Sequence, residues 1–251
     1  MHPKVAIELA RPFTMLAPVT GVALGAAAAA ARLDAVYDVL RVLVAALSAA
    51  LANAASNAWN QAFDADIDRV NKPERPVPSG RATVEGARRI GHVFAVLGLA
   101  AGALHAALAG HAWFLACVAI GVLATWIYSA PPLRTKRRFL GANLTIAVPR
   151  GFLVPVAGWA VVAAPATWEP FALGLVPGLF VLGAASTKDF ADVEGDRAHG
   201  CRTLPIVLGA APAARIVAPF LALPFLLYPV LAALCAIGGS LAEWAGAART
   251  G

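Results

Sequence analysis

Apolar residues run along this chain in continuous blocks and do not alternate with polar ones. The blocks cover roughly Phe13–Ala31, Val39–Phe63, Thr83–Ala109, 112–130, 141–163, 169–188 and 212–238. Each approaches or exceeds the roughly 20 helical residues that cross a hydrocarbon core. Alanine- and leucine-rich runs with no two-residue period read as helices, and strands are excluded. Polar punctuation separates the blocks. Pro73, Pro76, Pro78 and Gly80 fill the loop after the second, Gly110-His111 turns the chain after the third, and Pro131-Pro132 ends the fourth. Thr83 followed by Glu85 reads as a helix N-cap. The pattern predicts an all-α fold: a polytopic membrane bundle of about seven spanning helices around a central cavity, in one domain over residues 1–251.

The second block breaks its own pattern. Asn53, Asn57, Asn60, Asp64 and Asp68 recur at three- and four-residue steps, which places them on one helix face. Polar groups on a membrane helix are costly and face the bundle interior or a wet cavity. A second acidic stretch, Asp189, Asp192 and Asp196, follows far downstream. The two sets are expected to face each other and share a metal ion.

Composition agrees with a membrane class. The apolar fraction is 60% and the charged fraction 14%, against about a quarter charged in soluble domains. Mean hydropathy is +0.72. With the N-terminus inside, the segments of one side carry Lys4, Arg11, Arg69, Lys72, Arg75, Arg81, Arg88, Arg89, Arg134, Lys136, Arg137, Arg138, Lys188, Arg197, Arg202 and Arg215. The other side keeps only Arg32, Arg41 and Arg249, an asymmetry that puts the acidic motifs on the cytoplasmic face of an inner membrane. The net charge of +6 is accounted for by these loops, and no aromatic-basic motif points to nucleic acid. The N-terminal run, followed by many more, reads as a spanning helix and not as a cleaved signal. Cys117, Cys201 and Cys235 lack metal spacing and are expected to be free thiols.

Clustered carboxylates repel unless a cation holds them together. Asn60, Asp64, Asp68, Asp189, Asp192 and Asp196 offer hard oxygen donors without His or Cys, the chemistry of Mg²⁺. Mg²⁺ bridges a few carboxylates to substrate phosphates, so a diphosphate site is expected, completed by Arg69, Lys72, Arg75, Arg134, Lys136, Lys188 and Arg202. Arg150 falls near the middle of the fifth block and marks either a cavity or a pairing with a helix carbonyl or Asn143. It joins Asp64, Asp68, Asp192 and Asp196 as a candidate catalytic residue. Asn53, Asn57 and Tyr128 are candidates for the substrate cavity, and Trp59 and Trp126 read as core or cavity lining. A lipid diphosphate fits such a site, its head at the carboxylates and its isoprenoid tail between helices. A divalent-cation transporter is the reading from another class; it would place carboxylates at mid-membrane.

These motifs resemble the UbiA superfamily of intramembrane prenyltransferases. Its first motif, NxxxDxxxD, is Asn60, Asp64 and Asp68, followed by an NKPxRPxPSG-like stretch at Asn71–Gly80. Its second is Lys188-Asp189 to Asp196, then Gly200 and Thr203-Leu204-Pro205. Tyr128 to Arg137 and Arg11-Pro12 are similar as well. The resemblance implies Mg²⁺-dependent transfer of a prenyl group from a polyprenyl diphosphate to an aromatic quinone precursor or a lipid. An ether-lipid prenyltransferase is one alternative and a non-catalytic quinone-binding relative another. Members typically have nine spanning helices, so a bundle short of its C-terminal pair is expected here.

Overall fold

The computed structural model describes residues 2–234. The end of the seventh block, Cys235, Arg249 and the tail lie outside the described residues. Among those residues there is no strand. The helices are α1 (Pro3–Ala10), α2 (Leu16–Leu33), α3 (Val39–Phe63), α4 (Ala65–Asn71), α5 (Val84–Ala109) and α6 (Trp113–Ser129). They continue as α7 (Phe139–Ala147), α8 (Leu153–Val162), α9 (Glu169–Ala184), α10 (Val193–Ala198), α11 (Leu204–Leu208) and α12 (Ala210–Ala222). Over the described residues, all seven apolar blocks are therefore helical. Among the described residues, six stretches are long and apolar enough to cross a membrane, and α6 is a shorter apolar helix of 17 residues.

Four features depart from the sequence expectation, each with a local cause. α1 is an extra helix ahead of the first span, capped by His2, whose ring accepts from the Lys4 N–H at 3.3 Å. The fifth block is one helix in outline but opens into a π-turn over Val148–Phe152. Pro149 supplies no N–H there, so the normal ladder cannot continue. In the seventh block Pro224 sits in a 3-10 turn at Leu223–Leu226, and the chain is helical again from residue 227. The long loops hold short helices, α4, α10 and α11. The expected N-cap at Thr83 forms, its hydroxyl accepting from the Gly86 N–H at 2.9 Å.

Lipid is as apolar as leucine, so helices associate through close contact and hydrogen bonds between them. α2 crosses α8 at Gly25 and Gly158. A Cβ on Gly25 would lie 2.3 Å from the Pro155 carbonyl oxygen, and one on Gly158 would lie 2.4 Å from that of Val22. α3 meets α5 where Ser48 Oγ donates to the Gly98 carbonyl at 2.7 Å. Val22, Ala26, Phe114, Val118, Val156 and Val161 form the main buried cluster. Trp59 and Trp126 stack edge-on at 5.0 Å with Ala55 and Ala95 beside them, so they are core. Leu40, Leu43 and Leu47 of α3 and Val93, Val96 and Leu97 of α5 point outward, where acyl chains would cover them.

The bundle has two unlike ends. One carries the Arg32–Glu169 pair at 3.3 Å and the exposed Trp113 and Trp168. The other gathers α4, the 130–138 loop and the segment holding α10 and α11, tied by ion pairs described next.

Candidate active site

α3 ends at Phe63, and Asp64 caps it. One turn back, Asn60 Nδ2 donates to Asp64 Oδ2 at 2.6 Å. The 130–138 loop adds Lys136 Nζ at 2.6 Å from Oδ2 and Arg134 Nη2 at 3.2 Å from Oδ1. Asp68, one turn further on, accepts from Arg75 Nη1 at 2.7 Å. From the second motif, Asp192 takes Lys72 on both oxygens. Asp196 Oδ1 lies 4.0 Å from Lys136 Nζ. Lys136 thus stands between Asp64 and Asp196, and the two acidic motifs meet as expected.

One side chain joins the motifs directly. Asn71 Nδ2 donates to the Asp192 carbonyl at 3.1 Å, and its Oδ1 accepts from the Gly195 N–H at 3.0 Å. The lack of a side chain at Gly195 is required: a Cβ there would lie 2.5 Å from Asn71 Oδ1. Asn71 was visible in the motif, but its role was not, because its partners come from the other end of the chain.

The electrostatics divide the carboxylates: counter-charge suffices at Asp64 and falls short at Asp68 and Asp196. Burial would raise Asp64, but Lys136 and Arg134 outweigh it and hold its carboxyl below the usual range. Asp68 is raised by burial, which Arg75 only partly offsets. Asp196 is also raised, by burial and then by the neighbouring Asp192 and Asp64, against the pull of Lys136. Burial would lower Lys136, yet Asp64 leads a group of anions that raises it.

The residues fit Mg²⁺. Asp196 Oδ1, Thr203 Oγ1 and Thr135 Oγ1 are buried without hydrogen-bond partners, as are Arg134 Nε and Arg137 Nε. Unsatisfied acceptors and donors side by side suit a cation together with an anion. Among the described residues no three Asp, Glu, His or Cys side chains come close enough to enclose an ion. The six expected ligands therefore do not form a ready cage. Mg²⁺ does not need one, since it takes one or two carboxylates plus waters and phosphate oxygens.

Three chambers with shared wall residues lie between this cluster and the apolar part of the bundle. The first is apolar, open on one side and walled by Val22, Ala52, Phe114, Cys117, Gly121 and Ala157 among others. The next is polar and bordered by Arg11, Asn57, Asn60, Tyr128, Arg150 and Lys188. The two share Ser56, Thr125, Pro149 and Arg150. A third, small chamber reaches Lys136, Asp189 and Thr203 and shares Tyr128, Ile146 and Lys188 with the second. α6 accompanies all three from Phe114 to Tyr128, about 21 Å at 1.5 Å per residue.

Most expected site residues converge here. Lys188 Nζ donates to the Tyr128 hydroxyl at 2.9 Å, and Asp189 is buried in the wall of the small chamber. Arg150 borders the two larger chambers and donates to Ser56 Oγ at 3.1 Å. Asn143 is not its partner, being bonded to the Leu182 carbonyl and Ser186 Oγ. Arg69 lies apart from the cluster, paired with Asp66 on an exposed face because the turn of α4 points it outward. Arg202 is exposed too, and its N–H serves the Arg137 carbonyl at 3.2 Å. Asn53 and Asn57 do border chambers, yet their amide groups are bonded to the N-terminal segment. Sequence reasoning assigned no role to Arg11, Ser56, Gln61 or Asn71.

The chain is 36% identical over 164 residues to the bacteriochlorophyll synthase 33 kDa chain of Cereibacter sphaeroides, covering 64% of this chain and 52% of that one. It is 33% identical over 169 residues to the digeranylgeranylglyceryl phosphate synthase of Methanothermobacter thermautotrophicus, covering 67% and 56%. The chain spans about half the length of the curated relatives it matches. Among solved structures, a UbiA homologue from Archaeoglobus fulgidus bound to GPP and Mg²⁺ superposes with a TM-score of 0.72 at 20% identity, covering 90% of this chain and 77% of that one. An apo UbiA homologue from Aeropyrum pernix superposes at 0.66 with 18% identity, covering 96% and 85%. The fold and the apolar helices make this an integral, multi-pass membrane protein. Residues 18–249 match the UbiA prenyltransferase family, and the chain belongs to it.

Proposed function

We propose that this chain transfers a prenyl group from a polyprenyl diphosphate to a lipid or pigment acceptor, releasing diphosphate in a Mg²⁺-dependent reaction. The order of the three chambers supports the reading. An acid–base cluster adjoins a polar chamber, which shares a wall with an apolar one. That sequence of surfaces matches a molecule with a charged head and a hydrocarbon tail.

Asp64, Asp68, Asp192 and Asp196, with Asn60 and Asp189 beside them, would hold the ion. Bound Mg²⁺ supplies positive charge that stabilises the departing diphosphate. Lys72, Arg75, Arg134 and Lys136 are paired with these same carboxylates. Standing beside the ion's would-be ligands, they are placed to grip phosphate oxygens. Lys188 and Tyr128 line the passage to the apolar chamber, where the tail is sheltered from water. The C1–O bond of the prenyl diphosphate breaks and its electron pair leaves with diphosphate. The acceptor nucleophile bonds to C1 and gives up its proton.

The relatives' names, bacteriochlorophyll synthase and digeranylgeranylglyceryl phosphate synthase, favour a pigment or ether-lipid acceptor over a quinone precursor. The concentration of cationic residues at the site end supports a cytoplasm-facing site in an inner membrane. The carboxylates lie at the helix ends and not at mid-membrane, which disfavours a transporter.

The test is incubation of the purified protein with labelled geranylgeranyl diphosphate, Mg²⁺ and a panel of acceptors. The panel holds a chlorophyllide, geranylgeranylglyceryl phosphate, homogentisate and 4-hydroxybenzoate. A prenylated chlorophyllide or glyceryl ether, with equimolar diphosphate, is expected. Product from homogentisate or 4-hydroxybenzoate alone overturns the acceptor assignment, and no product with any acceptor overturns the transferase.

A further inference from the structure

Arg11 links α1 to the 3-10 turn at Pro12–Met15 with φ 53° and ψ 70°, in the left-handed region. An L-residue there brings its Cβ against the next carbonyl, and glycine, asparagine or aspartate is the usual occupant. The described residues include three non-glycine positions of this kind: Arg11, Asp34 and Arg134. Asp34 caps the opposite end of α2 and is a residue type that tolerates the conformation. The two arginines both stand at the candidate site. The strain at Arg134 has a visible use, since its guanidinium reaches Asp64 and the Phe63 carbonyl.

Arg11 has no such partner among the described residues. Asp68 is occupied by Arg75, and no carboxylate lies within ion-pair distance of Arg11. Arg11 is an exposed residue at the rim of the middle chamber, which Lys188 and Arg150 also border, and no carboxylate lines that chamber. Three cations around a space without an anion define a place for one.

The backbone on both sides of Arg11 is held by α3. Asn57 Nδ2 donates to the Ala10 carbonyl at 2.9 Å and to Thr14 Oγ1 at 2.8 Å. Asn53 Nδ2 donates to Thr14 Oγ1 at 2.9 Å, and Gln61 Nε2 donates to the Leu9 carbonyl at 3.1 Å. Asn57 and Gln61 are buried. A strained residue persists only where its surroundings over-determine it, and here three amides do so.

We infer that Arg11 is a ligand for the anionic head of the substrate, and that Asn53, Asn57 and Gln61 are positioning residues that hold it over the middle chamber. This rests on the prenyl diphosphate reading. A guanidinium can give two parallel hydrogen bonds to phosphate oxygens, which a lysine cannot.

The test compares the wild type, Arg11→Gly, Arg11→Lys, Asn53→Ala, Asn57→Ala and the Arg11→Gly/Asn57→Ala double variant. Binding of geranylgeranyl thiolodiphosphate with Mg²⁺ is measured by calorimetry beside the melting temperature. Arg11→Gly should melt at or above the wild-type temperature, because glycine accepts the left-handed backbone freely. The same variant should bind at least about tenfold more weakly, the low end for a lost hydrogen bond to a charged group. Arg11→Lys should recover only part of that loss. Asn57→Ala and the milder Asn53→Ala should weaken binding in the Arg11 background, and Asn57→Ala should add nothing to Arg11→Gly. Wild-type affinity in Arg11→Gly, or a lower melting temperature with unchanged affinity, overturns the ligand role. Multiplying losses in the double variant overturn the positioning role. A wild type that binds no thiolodiphosphate overturns the prenyl diphosphate reading, and this inference with it.

Discussion

Asn71→Ala should loosen the two acidic motifs from one another. The substitution removes two hydrogen bonds, to the Asp192 carbonyl at 3.1 Å and from the Gly195 N–H at 3.0 Å. Each is worth about 0.5–1.5 kcal/mol net, so the pair contributes roughly 1–3 kcal/mol. If that energy goes into holding Asp192 and Asp196 opposite Asp64, its loss appears in ligand affinity as about 5- to 140-fold. Gly195→Ala attacks the same contact from the other side, because its Cβ would sit 2.5 Å from Asn71 Oδ1 and push the amide out. The double variant should then be no worse than Asn71→Ala alone, since without the amide there is nothing to displace. The assay is the dissociation constant for geranylgeranyl thiolodiphosphate across a Mg²⁺ titration, with thermal melting alongside. An Asn71→Ala affinity within about twofold of wild type, or losses that multiply in the double variant, would refute the idea that this amide sets the spacing of the motifs.

Asp64→Ala should abolish Mg²⁺-dependent diphosphate release and lower stability by up to about 3–5 kcal/mol, because Arg134 loses its carboxylate and Lys136 keeps only Asp196, 4.0 Å away; radiometric diphosphate release and thermal melting read both. Gly121→Leu projects a side chain into the apolar chamber, where a Cβ at this position meets nothing within 4 Å. It should impair binding of geranylgeranyl diphosphate more than geranyl diphosphate, and equal effects on both would count against a tail in that chamber. Ser79→Cys and Ala198→Cys, both at exposed positions of the site end, should be labelled by an impermeant maleimide from one side only, the same for both; labelling from opposite sides would break the topology.

The spans were legible because hydrocarbon length and backbone satisfaction leave few options, and Val39–Phe63 was bounded correctly from its pattern alone. The meeting of Asp64 with Asp196 through Lys136 was legible for a related reason. Carboxylates at the ends of apolar helices need a common counter-charge, and most of the cations lie at one end of the bundle. What stayed hidden depends on rotation about the helix axis and on distant partners. Arg69 sits one residue after Asp68, and that step of about 100° turns it to the exposed face. Asn53 and Asn57 were placed on the right face, but their hydrogen bonds go to a segment some 40 residues upstream. Pro3 at its first position and the His2 cap are the local signals for α1, but its docking depends on carbonyls that any residue could provide.

The π-turn at Val148–Phe152 has a consequence for how insertions and deletions act on this protein. One extra residue per turn advances everything after it by about 100° relative to an unbroken α-helix. Upstream, Asn143 faces α9 through Leu182 and Ser186; downstream, Gly158 faces α2 at Gly25. A single-residue deletion inside the turn would straighten the rod while swinging one half of it out of phase with its neighbours. The span would keep its length and hydropathy, so it would still insert, but Gly158 would no longer meet Gly25 or Arg150 would no longer meet Ser56.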